Sequence, residues 1–193
     1  MMFETLVIDN VVDEQMQKTI HEDMMGADWH FLNDVSGVNS QYPSHGFSHV
    51  FVHPSRRFNK SSLYNIVEEL YSKISHILPD RYPYYARSFL QLPLAKQYTK
   101  EHNGVHVDLP ASIPHVACVY YVNGSDGDTI IYEQTINDVP GDSKNVKLVE
   151  HRRVTPKRGR IVLFDGSRYH CSSQPTVNYR CIINMDLVQN KGN

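Results

Sequence analysis

The chain has 193 residues, a formal charge of −2, 40% hydrophobic residues and 21% charged residues, a balance that excludes a disordered chain and gives no overall attraction to a polyanion. At roughly 100 to 200 residues per domain this length is expected to form a single domain over 1–193. Three cysteines, Cys118, Cys171 and Cys181, without any C-x-x-C spacing, argue against a disulfide framework or a structural zinc site, and a reducing, cytoplasmic setting is expected.

The amino terminus, "MMFETLVIDNVVDEQ", is acidic where an export signal is basic, and no run approaches the roughly 20 apolar residues of a membrane span, so no membrane partner is expected. Two helices are predicted in the first third. "DEQMQKTIHEDMM" opens with Asp13 as an N-cap, and "SSLYNIVEELYSKISHIL" carries Leu63, Ile66, Val67, Leu70, Ile74 and Ile77 at helical spacing. One stripe of the second helix must cover an apolar surface, for which a sheet is the expected partner. Residues 1–84 thus read as a helical support region.

From about position 85 the pattern changes to short runs rich in Val, Ile, Tyr and Leu, punctuated by Gly, Pro, Asn and Asp. About eight strands are predicted: "ARSFLQLPL", "GVHVD", "PHVACVYYVN", "DTIIYEQ", "KLVEHRRV", "RIVLFDG", "YHCSS" and "NYRCIINMDLV". The expected fold is mainly β with N-terminal helices, a double-stranded β-helix or jelly roll over 85–188 with the helices packed on one sheet. In the last strand Tyr179, Cys181, Ile183, Met185 and Leu187 form an apolar face suited to the helices. The other face carries Arg180, Ile182, Asn184 and Asp186 and points into the barrel.

In "HVD", His106 and Asp108 are two apart and share one face of a strand, so both can reach one metal ion. H-x-D alone is a weak signal in a chain with 11 histidines. An imidazole and a carboxylate suit a divalent first-row metal, and a third donor from a distant strand would complete a facial set with open positions. His170, just past a strand and a turn, is the best-placed donor; His102, His115 and His151 compete as ordinary surface or strand-end histidines. Ten residues after His170 comes Arg180, whose guanidinium keeps its charge when buried and needs an anionic partner. Asp186 lies six residues along the same strand, about 20 Å away at roughly 3.4 Å per residue, too far to serve.

With these residues assembled, the sequence resembles the Fe(II)- and 2-oxoglutarate-dependent oxygenases, in particular the prolyl 4-hydroxylase-like group. The resemblance spans about 85 to 188 and rests on "HVD", "VYYVN", "GDT", "VTPKRGRIVLFDG", His170 and Arg180 in that order. It implies Fe(II) held by His106, Asp108 and His170, and 2-oxoglutarate bound through its distal carboxylate by Arg180. By the same resemblance Tyr121 donates a hydrogen bond to that carboxylate, as in hypoxia-type prolyl hydroxylases; a core aromatic is the other reading of Tyr121. Collagen-type prolyl hydroxylases have lysine where this chain has Arg180, so their substrate preference is not carried over.

Gly127, Asp128 and Thr129 read as a strand-opening turn, as do Asp165 and Gly166 before the distal histidine, and Tyr98 and Gln91 are candidates for a further polar contact to the co-substrate. The implied activity uses O2 to decarboxylate 2-oxoglutarate to succinate and CO2 while hydroxylating a C–H bond of a protein side chain, prolyl among the candidates, or of a small molecule. Tyr169 and Cys171, flanking His170, are expected to be exposed to uncoupled oxidation. A cupin-like metal enzyme, which leaves Arg180 unexplained, and a non-catalytic jelly-roll binding module, with the polar residues merely satisfied in the barrel, are the alternatives. The basic run from His151 to Arg160 reads as a solvated strand face, so nucleic acid is not indicated, and the loops at 30–45 and 134–147 are expected to decide the substrate.

Overall fold

The computed structural model describes residues 3–35, 44–56, 60–99, 102–139 and 147–190; residues 36–43 and 140–146 of the two expected substrate loops lie outside them. Among the described residues ten strands form two antiparallel sheets. The larger sheet has the order β1 (Leu6–Ile8), β8 (Ile161–Asp165), β5 (His115–Tyr121), β10 (Arg180–Gln189), β4 (Arg81–Gln91), β3 (Gly46–Val52) and β2 (His30–Leu32). The smaller has the order β7 (Glu150–Val154), β6 (Thr129–Thr135) and β9 (Arg168–Ser172).

Two helices precede most of the strands. α1 (Glu14–Met25) starts where Asp13 accepts the Met16 amide at 2.8 Å, satisfying one of the donors that a helix start leaves open. α2 (Tyr64–Ile74) is shorter than its apolar pattern, because the Ser61 hydroxyl takes the Leu63 amide at 3.1 Å and delays the first helical turn. Its buried face, Ile66, Val67, Leu70 and Ile74, shares one core cluster with Ile20 and Met24 of α1 and with Cys181, Ile183, Met185 and Leu187 of β10. The odd-numbered face of β10 is therefore the apolar seat of the helices.

The opposite face of β10 looks into the space between the sheets. There Ile182 packs with Ala117, Val119, Tyr121, Val162 and Phe164 of the large sheet and with Ile131 and Val154 of the small one. Register places cavity-facing residues side by side on β10 and β4: Arg180 opposite Gln91, Ile182 opposite Phe89, and Asn184 opposite Arg87. The alternation of β10 thus delivers polar groups to a pocket whose floor is hydrophobic.

"GVHVD" departs from the expected strand. His106 makes one isolated bridge, with its amide on the His170 carbonyl at 3.0 Å and the His170 amide on its carbonyl at 2.9 Å. The ladder stops because the Gly104 carbonyl bonds the His106 ring at 2.9 Å instead of a neighbouring strand. Alternation survives locally, since Val105 and Val107 pack on Ile130, Tyr132, Tyr169 and Cys171 of the small sheet while His106 and Asp108 turn to His170.

Candidate metal centre

His106, Asp108 and His170 offer ligand atoms that all lie within 4.8 Å of one another. His170 arrives from the middle of β9, and the bridge between the two histidine backbones sets their rings 4.6 Å apart, centroid to centroid. Each ring has Nδ1 against a backbone carbonyl, Gly104 at 2.9 Å for His106 and Arg168 at 3.1 Å for His170. A carbonyl only accepts, so Nδ1 carries the proton and, in the neutral ring, the Nε2 lone pair is left for a metal. Phe164 packs edge-on to the His170 ring at 5.0 Å and fixes its plane.

The Asp108 side chain is 1% exposed. Its Oδ1 accepts from Arg87 Nη2, whereas its Oδ2 is buried with no hydrogen-bond partner, 3.2 Å from His170 Nε2. Away from water this contact is favourable only with positive charge between the two atoms, either a proton on Nε2 or a bound metal ion. Burial alone would raise the Asp108 pKa, but the adjacent His170 and the Arg87 guanidinium outweigh it and hold the carboxyl well below the usual range. Although His106 is half-exposed, desolvation by the surrounding protein and then His170 lower its pKa to about 4, so its ring is neutral at neutral pH. Two imidazoles, each with Nδ1 on a carbonyl and Nε2 turned inward, and one carboxylate are a donor set that fits Fe(II).

Arg180 lies on the wall of the same cavity, which has a volume of about 90 Å³. It is 5% exposed; its Nε donates to the Gly127 carbonyl and its Nη2 to Thr129 Oγ1, each at 2.8 Å. No ion pair of Arg180 is found among the described residues, and burial pushes its pKa below the usual guanidinium value. Tyr121 is fully buried, its hydroxyl pKa pushed up to about 12, chiefly by burial. That hydroxyl donates to Thr129 Oγ1 at 2.8 Å, and Tyr121 is not among the residues lining the cavity. Thr129 lines the cavity and accepts from both Tyr121 and Arg180, which leaves its own proton for an acceptor inside.

No protein-family model and no curated protein matches the chain in sequence. Solved structures do match over nearly its whole length. The α-ketoglutarate-dependent epimerase SnoN from nogalamycin biosynthesis aligns with a TM-score of 0.68 at 6% identity, covering 96% of this chain and 78% of that one. HygX from Streptomyces hygroscopicus, with nickel, 2-oxoglutarate and hygromycin B bound, aligns at 0.63 and 12% identity, covering 97% and 83%. A prolyl hydroxylase from Trichoplax adhaerens, in complex with a hypoxia inducible factor peptide, aligns at 0.55 and 15% identity, covering 97% and 84%. The fold is that of the Fe(II)/2-oxoglutarate oxygenases.

Within this oxygenase fold the expected residues fall into place unevenly. Gln91 lines the cavity and its amide donates to Ser44 and Gln174, both at 3.0 Å, whereas Tyr98 is 47% exposed and does not line it. His102 lies outside the three-residue cluster and His151 is exposed on β7. His115 belongs instead to a second buried set with Asp108 and Asp186, where its Nε2 and Asp186 Oδ1 lack hydrogen-bond partners. Desolvation and then the Asp108 charge raise the Asp186 pKa well above the carboxylate range, and Arg87 opposes them. Asp165 accepts the Ser167 amide at 3.0 Å and makes the β8–β9 turn, as the sequence suggested. Arg87, Thr129 and Asn184 line the cavity without having been singled out as site residues. Alternation in "ARSFLQ" carried a signal for Arg87, since Arg87, Phe89 and Gln91 share a face.

Proposed function

We propose that the chain is an Fe(II)- and 2-oxoglutarate-dependent dioxygenase that hydroxylates a C–H bond of a protein side chain or of a small molecule, acting as one oxygenase domain over 1–193 with 1–84 as support. One observation carries the reading: three ligand donors, on His106, Asp108 and His170, converge in a cavity that also holds Arg180, a buried cation with no carboxylate partner among the described residues. A cupin-like enzyme would account for the first part and leave Arg180 without a task, and a non-catalytic binding module would not account for the converging donors.

Bound Fe(II) with 2-oxoglutarate and O2 supplies the oxidising chemistry, coupling release of succinate and CO2 to hydroxylation. His106, Asp108 and His170 would hold the iron on one side and leave the facing positions open. Arg180 orients the distal carboxylate by charge and hydrogen bonding and moves no proton. Thr129 adds a neutral donor beside it, and Tyr121 keeps the Thr129 hydroxyl in that rotamer. Phe89, Val119 and Ile182 furnish an apolar wall that excludes water from the reacting centre.

Substrates of both kinds stay within the proposal, since HygX holds hygromycin B and the Trichoplax enzyme a peptide. The three cysteines are buried free thiols, in keeping with a reducing, cytoplasmic setting, and among the described residues no helix is long and apolar enough to cross a membrane. The decisive experiment adds Fe(II) and then 2-oxoglutarate without oxygen and watches for the visible charge-transfer band of the chelate. Its appearance only with both is expected; a well-folded protein that never develops it is not an oxygenase of this type.

A further inference from the structure

Arg87 is the one cation of the described site that touches a proposed ligand directly. It lies on β4 beside Asn184 of β10, its side chain 15% exposed, and its Nη2 donates to Asp108 Oδ1. Its guanidinium carbon sits 4.4 Å from the Tyr85 ring centroid and 5.5 Å from that of Phe89, the residues two before and two after it on the same strand face. Held between two rings on a central strand, this guanidinium cannot follow Asp108 if the carboxylate rotates.

The consequence concerns the two oxygens of Asp108. Oδ1 is occupied by a charge-assisted hydrogen bond, whereas Oδ2 is the buried, unpartnered atom next to His170. A carboxylate in a wet or apolar pocket can close on a divalent cation with both oxygens, taking up two coordination positions. We infer that Arg87 is a positioning residue that makes Asp108 a one-oxygen ligand, so that the cation keeps an additional open position. This rests on the reading of Asp108 as a metal ligand. It deepens that reading, because a bidentate 2-oxo acid and O2 together need about three open positions, those left by three single-atom protein ligands in an octahedral site.

The test uses Mn(II) alone, with neither 2-oxoglutarate nor activity involved. Water-proton relaxivity of the bound ion reports how many exchangeable waters it carries. Wild type should hold about three, and Arg87→Met about two, a relaxivity lower by roughly one third, because Asp108 then closes with both oxygens. Arg87→Lys, which keeps a cationic donor facing Asp108, should return to the wild-type value. Circular dichroism checks the fold, and Arg87→Leu, which likewise carries no donor, replaces the Met variant under the same criterion if that one does not fold. A relaxivity per bound Mn(II) that is unchanged without the cation overturns the inference, as does a loss that Lys fails to restore. Wild type that binds no Mn(II) would instead overturn the function proposed above.

Discussion

Replacing Arg180 with alanine separates metal binding from co-substrate binding. The guanidinium spends Nε on Gly127 and Nη2 on Thr129 and is 5% exposed, so a carboxylate bound to it is almost wholly desolvated. Truncating one partner of such a pair costs about 2 to 5 kcal/mol. At about 1.4 kcal/mol per tenfold, the dissociation constant of 2-oxoglutarate should rise by roughly 30-fold to a few thousandfold. The assay is calorimetric titration of Mn(II)-loaded protein with 2-oxoglutarate, preceded by titration of the apoprotein with Mn(II). The metal constant should barely change, because Arg180 belongs to a separate hydrogen-bond group from the three donors. Arg180→Lys should fall between, keeping the charge and losing the fork. Equal loss of both ligands, or undiminished 2-oxoglutarate binding, would refute the assignment.

Other perturbations probe the scaffold around the site. Gly166→Ala would drive a Cβ into the His115 ring, which is 2% exposed and cannot retreat, so a destabilisation of about 1 to 3 kcal/mol is expected in urea unfolding. Asp9 is held by Arg160 and Lys157, whose hydrogen bonds lower its pKa from 3.8 to about 2. A depressed folded-state pKa stabilises above the unfolded value and loses that contribution as pH falls from about 4 toward 2. The Asp9 side chain is 37% exposed, so Asp9→Asn should cost no more than about 1 kcal/mol at pH 7, and the gap to wild type should close near pH 2. Tyr169 and Cys171 pack in one cluster, but only Cys171 also borders the cavity, so uncoupled turnover should oxidise Cys171 before Tyr169, whose hydroxyl is tied to the Val139 carbonyl at 2.7 Å; peptide mass spectrometry showing the reverse order would contradict this.

Much of the chemistry was legible because it obeys local periodicity. The alternation of "RCIINMDLV" placed Arg180 and Asn184 on one face and the helix-facing residues on the other, and that is how β10 packs. The helical stripe of α2 needed only its own spacing, and its four buried residues were all in it. The strands of the first third were not legible. β1 and β2 have three residues each, too few for a period, and β3 lies between the helices in sequence while pairing with β4 through register alone.

The sequence by itself determined which residue types could make a facial metal site and which buried cation could anchor an acid, since both follow from side-chain chemistry and a two-residue repeat. Only the tertiary structure decided their neighbours. "HVD" meets β9 through a single bridge and not through a ladder, and the Tyr121 hydroxyl ends on Thr129 because β5 and β6 approach across the core. Arg87 reads in sequence as an ordinary charged strand residue; its bond to Asp108 exists because β4 lies between β3 and β10 and turns that face inward. Contacts between segments distant in the chain depend on how strands are ordered in a sheet, and no local pattern encodes that order.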